Sequence, residues 1–321
     1  MQKTATPKPR DRGSIYSYWF LVPAFVIFIV FFIVPMVISL YFSMTVWDFN
    51  SSRFVGLENF KTFLTTYSMS IGIKNTFIYA ILTSGIKVIL AFFIAIFLTS
   101  KIKSKNILRS IVFFPKLVSA IAIGIAFKAL MHPTNGLINR VLGTVGINSV
   151  DWLGNRNIAL YSVIVTDVWK GLSIATVIYI AGISSIDSSY YEAAEIDGAT
   201  GWQKFIHITL PNLRTILIYT LITSLIGGLQ MFDIPQLLVL NSGPNNATLT
   251  ASVFIYNQAF SGSYMYNRAS AASMIMFLII CVLSAIVFFL MRDKYEAQIQ
   301  KQLRKQRKEA KRMLKEEGRA P

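Results

Sequence analysis

The sequence predicts an all-α, polytopic integral membrane protein with six transmembrane helices. Three observations carry that expectation. Hydrophobic residues make up 54% of the 321 residues and mean hydropathy is +0.54, values of a membrane protein. Six apolar runs are long enough to cross a bilayer, at 18–42, 73–99, 111–130, 158–184, 213–240 and 270–291. Lysine and arginine collect before the first run, at 101–109 and from 292 onward. That is the cytoplasmic bias of positive charge. It accounts for the net charge of +16 as topology, with no nucleic-acid partner.

Residues 1–17 are basic and hold Pro7 and Pro9; they are expected to be a disordered cytoplasmic tail. The domain that follows covers 18–291. Its first run exceeds a signal-peptide core and no small-residue cleavage site follows, so it is expected to stay as an anchor. Pro23 and Pro35 within it are tolerable in a packed membrane helix. Residues 46–74 read as a polar outer segment. The second run carries Lys87 near its centre, where a charge faces the bundle interior or a wet cavity. Packing or a salt bridge is the plainer role for it, transport the other.

The basic loop at 101–109 is placed inside. Lys116 and Lys128 lie near the ends of the third run and can snorkel. Residues 131–157 form an outer loop, with Trp152 as an interface anchor. Residues 241–267 form another, and Gly243-Pro244 reads as a turn. Cys281 lies in an apolar run, cannot form an intrachain disulfide and is expected to be a small buried core residue. His132 and His207 have no neighbours at ligand spacing, so no metal is expected. The basic tail, 292–321, has a helix-forming composition; contact with anionic lipid is its lesser reading.

Polar residues inside the fourth and fifth runs are the candidate site. The fourth holds Thr166, Asp167, Trp169, Lys170, Gly171 and Ser173; the fifth holds Gln230 and Asp233 beside Phe232. Asp167 and Lys170 share a helical face by their spacing of three, as do Gln230 and Asp233. At about 1.5 Å per residue, Asp167 and Lys170 lie about 14 and about 18 Å below the outer surface, Gln230 and Asp233 about 15 and about 10 Å. One reading is an ion pair, Lys170 with Asp167 or Asp233, that only locks the bundle. The other is a hydrophilic pocket with an aromatic platform, suited to a sugar.

Between these runs lies a polar stretch that still looks helical, 188–211. It carries Glu192, Glu195 and Asp197, then Gly198, which weakens a helix. Glu192, Glu195 and Ala199 fall near one face by spacing. Acids suit a protein partner better than an anionic lipid surface.

Glu192-Ala193-Ala194, Gly198, Ile208, Leu210 and Pro211 fit EAA-x3-G-x9-I-x-LP, and no position departs. The stretch resembles the EAA loop of the permease subunits of binding-protein-dependent type I ABC importers. The residues 54–60, Gly136-Leu137-Ile138-Asn139, Trp169-Lys170-Gly171 and Gly243-Pro244 resemble the carbohydrate-uptake branch. The resemblance implies the type I importer permease fold and an ATPase-coupling role for Glu192, Ala193, Ala194, Asp197 and Gly198. It implies a substrate path at Asp167, Trp169, Lys170, Gly171, Gln230 and Asp233. The charges among these depart from the mostly neutral contacts of maltose permeases. It also implies the partners: a second permease subunit as a hetero-dimer, two cytoplasmic ATPase subunits and an extracytoplasmic sugar-binding protein.

No G-x4-GK[ST] phosphate loop occurs in the sequence. The chain is therefore expected to hydrolyse nothing and to hold no cofactor. The expected location is the bacterial cell membrane, with both termini cytoplasmic. Two rival classes fit the sequence as well: an ion-coupled secondary transporter working through Asp167, Lys170 and Asp233, and an ABC permease for a non-sugar solute. A membrane-embedded enzyme lacks a visible catalytic cluster.

Overall fold

The computed structural model describes residues 18–48, 51–100, 102–261 and 264–291, with residues 303, 304 and 306. The expected tail at 1–17, Lys101 and nearly all of the basic tail lie outside the described residues.

The first span is α1 (Trp19–Ser43). Its middle, Ile29–Ile33, is a π-helical turn, in which the Val34 N–H donates to the Ile29 carbonyl. Pro35 supplies the reason. Its ring crowds the carbonyl four residues back and it has no N–H, so the helix widens ahead of it. A short antiparallel hairpin follows, β1 (Thr45–Asp48) with β2 (Ser51–Phe54), and then α2 (Glu58–Thr65). Asn59 on α2 is buried and donates to the carbonyls of Ser43 and Thr45 at 3.0 and 2.9 Å. It thereby ties the hairpin to the end of α1.

The second span, α3 (Tyr67–Thr99), begins earlier than its hydropathy suggested. It packs most extensively on α7 (Ala159–Ser184), the fourth span. The expected third span is not one rod. It is α4 (Lys105–Leu117) and α5 (Ala120–Leu130), bent by 101°. Pro115 lies inside the last turn of α4, Val118 beyond it is extended, and the Ser119 hydroxyl caps α5 by accepting from the Ala122 N–H at 3.2 Å. Hydropathy cannot see this break, because both halves are apolar.

The expected fifth span breaks as well. It consists of α10 (Arg214–Leu229) and α11 (Asp233–Leu238) around an irregular turn at Gln230, Met231 and Phe232. Pro235 is the cause, since it cannot donate within a continuous helix. The freed Met231 carbonyl accepts from the Thr250 hydroxyl at 3.2 Å. Gln230 and Asp233 therefore do not share one helical face, and a depth counted at helical rise does not hold across the break. Ahead of α10 lies α9 (Gly201–Asn212), inclined to it by 64°.

The expected outer loops are partly helical. The first contains α6 (Leu137–Thr144). There Trp152 is half-buried and its indole N–H donates to Asn139 Oδ1 at 3.0 Å; it pins the loop instead of standing free as an anchor. The second contains α12 (Ala251–Phe260) after a tight turn. That turn has left-handed residues Asn241, Ser242, Gly243, Asn245 and Asn246, as Gly243-Pro244 suggested. Buried Asn75 on α3 donates to the carbonyls of Asn246, Ala247 and Leu249 at 3.2, 3.1 and 3.0 Å.

The sixth span is α13 (Tyr266–Met291). Cys281 within it is exposed on this chain, contrary to the buried core role expected. Four described helices, α1, α3, α7 and α13, are each long and apolar enough to cross a membrane. The pairs α4–α5 and α9–α10 raise the count to six if each is one span. None of the most apolar window of α1 is buried. The core sits instead where α3, α5, α7 and α11 meet, around Tyr79, Ile123, Val163, Ile164, Ile234 and Leu238.

Candidate functional site

Two places on this frame concentrate polar chemistry. The first is a helical hairpin between the fourth span and the α9–α10 pair. Its leading arm is α8 (Ser188–Ile196). Asp187 caps it, with Oδ1 accepting from the Ser189 N–H at 2.9 Å. These hydrogen bonds from Ser189 hold the Asp187 carboxyl below the usual carboxylate range.

Gly198 ends α8. Its φ is +73°. The Ala199 N–H donates to the Ala194 carbonyl at 2.8 Å and the Gly198 N–H to that of Glu195 at 3.1 Å. This is the Schellman closure, which requires a left-handed residue where Gly198 stands. An added Cβ at Gly198 would meet nothing within 4 Å, so backbone conformation and not space makes the glycine necessary. Ala199 lies past the helix end and does not share a face with Glu192 and Glu195.

The chain restarts at once. Thr200 and Gln203 form a reciprocal capping box at the head of α9. Lys204 on α9 reaches back to Glu195 at 2.7 Å, and the Tyr191 hydroxyl lies 2.9 Å from Thr209 Oγ1. A second π-helical turn, Phe205–Thr209, precedes Pro211 just as the first precedes Pro35. Between the arms is a hollow of about 340 Å³ lined by Ala194, Asp197, Gly198, Gln203, Lys204 and His207. Large apolar side chains of the hairpin are uncovered: Tyr190 is 56% exposed, Ile196 87% and Trp202 67%. Glu192 and Ala193 lie on the same exposed arm, and the Glu192 carboxylate has no ion pair among the described residues.

The second place is in the membrane. Asp167 on α7 is buried, and its Oδ2 lies 2.6 Å from Lys87 Nζ on α3. The ion pair thus exists, but it joins Asp167 to Lys87 and not to Lys170. Gly171 is the reason. It stands one turn below Asp167, and a Cβ there would come within 2.4 Å of Lys87 Cε. Only a hydrogen leaves the lysine a passage across α7. Tyr79, fully buried, places its hydroxyl beside the Asp167 carboxylate.

Trp169 and Lys170 point elsewhere. Trp169 is 38% exposed and packs tilted against Phe127 of α5, centroids 5.2 Å apart. Lys170 is half-buried and has no ion pair among the described residues. Gln230 and Asp233 are exposed at the α10–α11 break. Met231 and Ile234, between and beside them, pack in the same cluster as Val168, Leu172 and Phe127. The break therefore sits against the middle of α7. Sequence reasoning did not foresee the room made by Gly171, the break at Pro235 or the role of Asn75. Proline spacing could have signalled the second of these; the others are contacts between segments distant in sequence.

Residues 87–301 match the sequence profile of a family described as the binding-protein-dependent transport system inner membrane component. The chain belongs to that family. This permease is 32% identical over 282 residues to the arabinooligosaccharides transport system permease protein AraP of Bacillus subtilis (strain 168), covering 86% of this chain and 90% of that one. It is 30% identical to the lactose transport system permease protein LacF of Rhizobium radiobacter, over 88% of this chain and 98% of the relative. Among solved structures, a bacterial alginate ABC transporter in complex with alginate pentasaccharide-bound periplasmic protein shares its fold. The TM-score is 0.76 at 23% identity, covering 86% of this permease and 93% of that chain. The permease is thus a multi-pass membrane protein of a binding-protein-dependent transport system, and the fold expected from its EAA stretch is the fold it has.

Proposed function

We propose that this permease is the membrane path of an ATP-driven importer for sugars or oligosaccharides. It receives its substrate from an extracytoplasmic binding protein and passes it by alternating access. The observation that carries the reading is the α8–α9 hairpin, which exposes Tyr190, Ile196 and Trp202 beside Glu192. Large apolar side chains left uncovered on a rigid, capped hairpin mark a docking region. With no phosphate loop in the chain, the ATPase subunits that dock there are separate polypeptides. Glu192, Ala193 and Ala194 supply the contact, and Gly198 with Asp197 the fixed end of the helix. Both termini and the hairpin are cytoplasmic, in keeping with the lysine and arginine bias. A second permease completes the path. The names of the relatives support a sugar as cargo.

Irregular backbone at membrane depth is tolerated where it is buried in protein or lines a wet cavity. The turn at Gln230 is of that kind, so Trp169, Lys170, Gln230 and Asp233 line the sugar path. Asp167 and Gly171 form the wall behind them through Lys87. The test is uptake of labelled sugar by cells carrying Trp169→Ala or Gln230→Ala, with complex recovery measured alongside. Losing one hydrogen bond or ring contact of about 1 kcal/mol lowers uptake about fivefold at limiting substrate. Recovery stays at wild-type level. Normal uptake in both variants would return these residues to a packing role.

A further inference from the structure

We propose that the permease carries a binding site for one anionic phospholipid of the cytoplasmic leaflet, held by Arg109 between α3, α4 and α7. The site rests on the cytoplasmic placement of the 101–109 loop proposed above. A pocket of about 350 Å³ opens there, lined by Leu98, Arg109, Val112, Phe113, Val177 and Ile180 among others. Its lining is apolar apart from the guanidinium and the polar groups of Ser110 and Thr176. Arg109 is half-buried. Its Nη2 makes one long hydrogen bond, 3.4 Å to the Leu98 carbonyl, and its Nε is buried with no partner. No carboxylate pairs with it among the described residues.

A partly desolvated cation without a counterion calls for an anion. The apolar pocket beside it calls for a hydrocarbon chain on that anion. Depth agrees with both. Thr176 to Ile180 lie four to eight residues from the end of α7, roughly 6–12 Å below it at helical rise. The head of such a lipid meets Arg109 at the surface, and its acyl chain runs past Phe113 and Val177. Lys103 and Lys105, exposed at the start of α4, add to the local attraction for anionic headgroups. A soluble anion would satisfy the guanidinium and leave the pocket unfilled. An acidic side chain of a second permease is the competing occupant.

The experiment uses the permease purified with whatever subunits accompany it, delipidated and titrated with palmitoyl-oleoyl phosphatidylglycerol or the matching phosphatidylcholine. Binding is read by native mass spectrometry. The wild type retains one phosphatidylglycerol in preference to phosphatidylcholine. Arg109→Gln weakens phosphatidylglycerol binding about tenfold, the worth of a charge-assisted hydrogen bond. Val177→Trp, which fills the pocket and keeps the charge, removes the bound lipid as well. Equal phosphatidylglycerol binding by all three proteins overturns the site. So does efficient cross-linking of Ser110→Cys to a co-purifying permease chain, which would mean that protein covers the pocket. In a Cys281→Ser background, Ser104→Cys should resist labelling from outside intact cells. Labelling there overturns the leaflet assignment and the topology reading with it. Shielding of Ser104 with no lipid preference overturns the lipid site alone.

Discussion

Gly198→Val leaves the permease in the membrane at wild-type amounts and abolishes the substrate-stimulated ATP hydrolysis of the assembled transporter. No apolar span is altered, so insertion is untouched. The loss comes from the backbone. Gly198 has φ +73°, a region that costs an L-residue about 1–2 kcal/mol and a β-branched one more. The side chain itself has open space. Valine relieves the strain by leaving the left-handed region, and the two closing hydrogen bonds to Ala194 and Glu195 go with it. The Lys204–Glu195 pair, which sets α8 against α9, loses its frame. Gly198→Asn is the control, because asparagine visits this region readily. Stimulated hydrolysis stays close to wild type in the asparagine variant. Wild-type stimulation in the valine variant would overturn this expectation; equal loss in both would point to a direct contact at Gly198.

The second large effect is at the buried charge pair. Lys87→Met alone, or Asp167→Leu alone, leaves one charge uncompensated between α3 and α7. Breaking a buried pair in this way costs about 3–5 kcal/mol, and the side chains here are only 11% and 3% exposed. The yield of monodisperse protein and its apparent Tm in detergent fall in each single variant. The double variant, Lys87→Met with Asp167→Leu, recovers most of the loss, because two apolar groups need no partner. Gly171→Ala acts through the same contact: its methyl group occupies the place of Lys87 Cε, so its stability falls in the direction of the single variants. A double variant no more stable than either single one would show that the pair is not a lock. Uptake in the stable double variant then reports whether the charges also serve transport.

The spans were legible in the sequence because burial in lipid needs only length and hydropathy. The breaks within them were not read, because hydropathy carries no information on φ and ψ. Yet Ser119 held that information as a cap, and Pro235 as a breaker. The EAA stretch was legible in more detail. Its glycine, its capping residues and its terminal Leu-Pro each fix local geometry, and the structure uses Pro211 as Pro35 is used, behind a π-helical turn. The ion pair was half legible. Asp167 and Lys170 are neighbours by spacing, but the partner that Asp167 takes comes from α3, admitted by a glycine whose importance appears only when two helices are packed. Cys281 shows the converse: an apolar neighbourhood in sequence does not separate the core from the exposed face of a span.

In the proposed function this permease moves a sugar at the expense of ATP hydrolysed by subunits docked on the α8–α9 hairpin. The most direct measurement is accumulation of labelled sugar in proteoliposomes that hold the purified transporter, with and without ATP on the hairpin side and with the loaded binding protein on the other. Accumulation should need both, and should vanish when the hairpin carries Gly198→Val. Accumulation driven by an ion gradient with no ATP present would contradict this function.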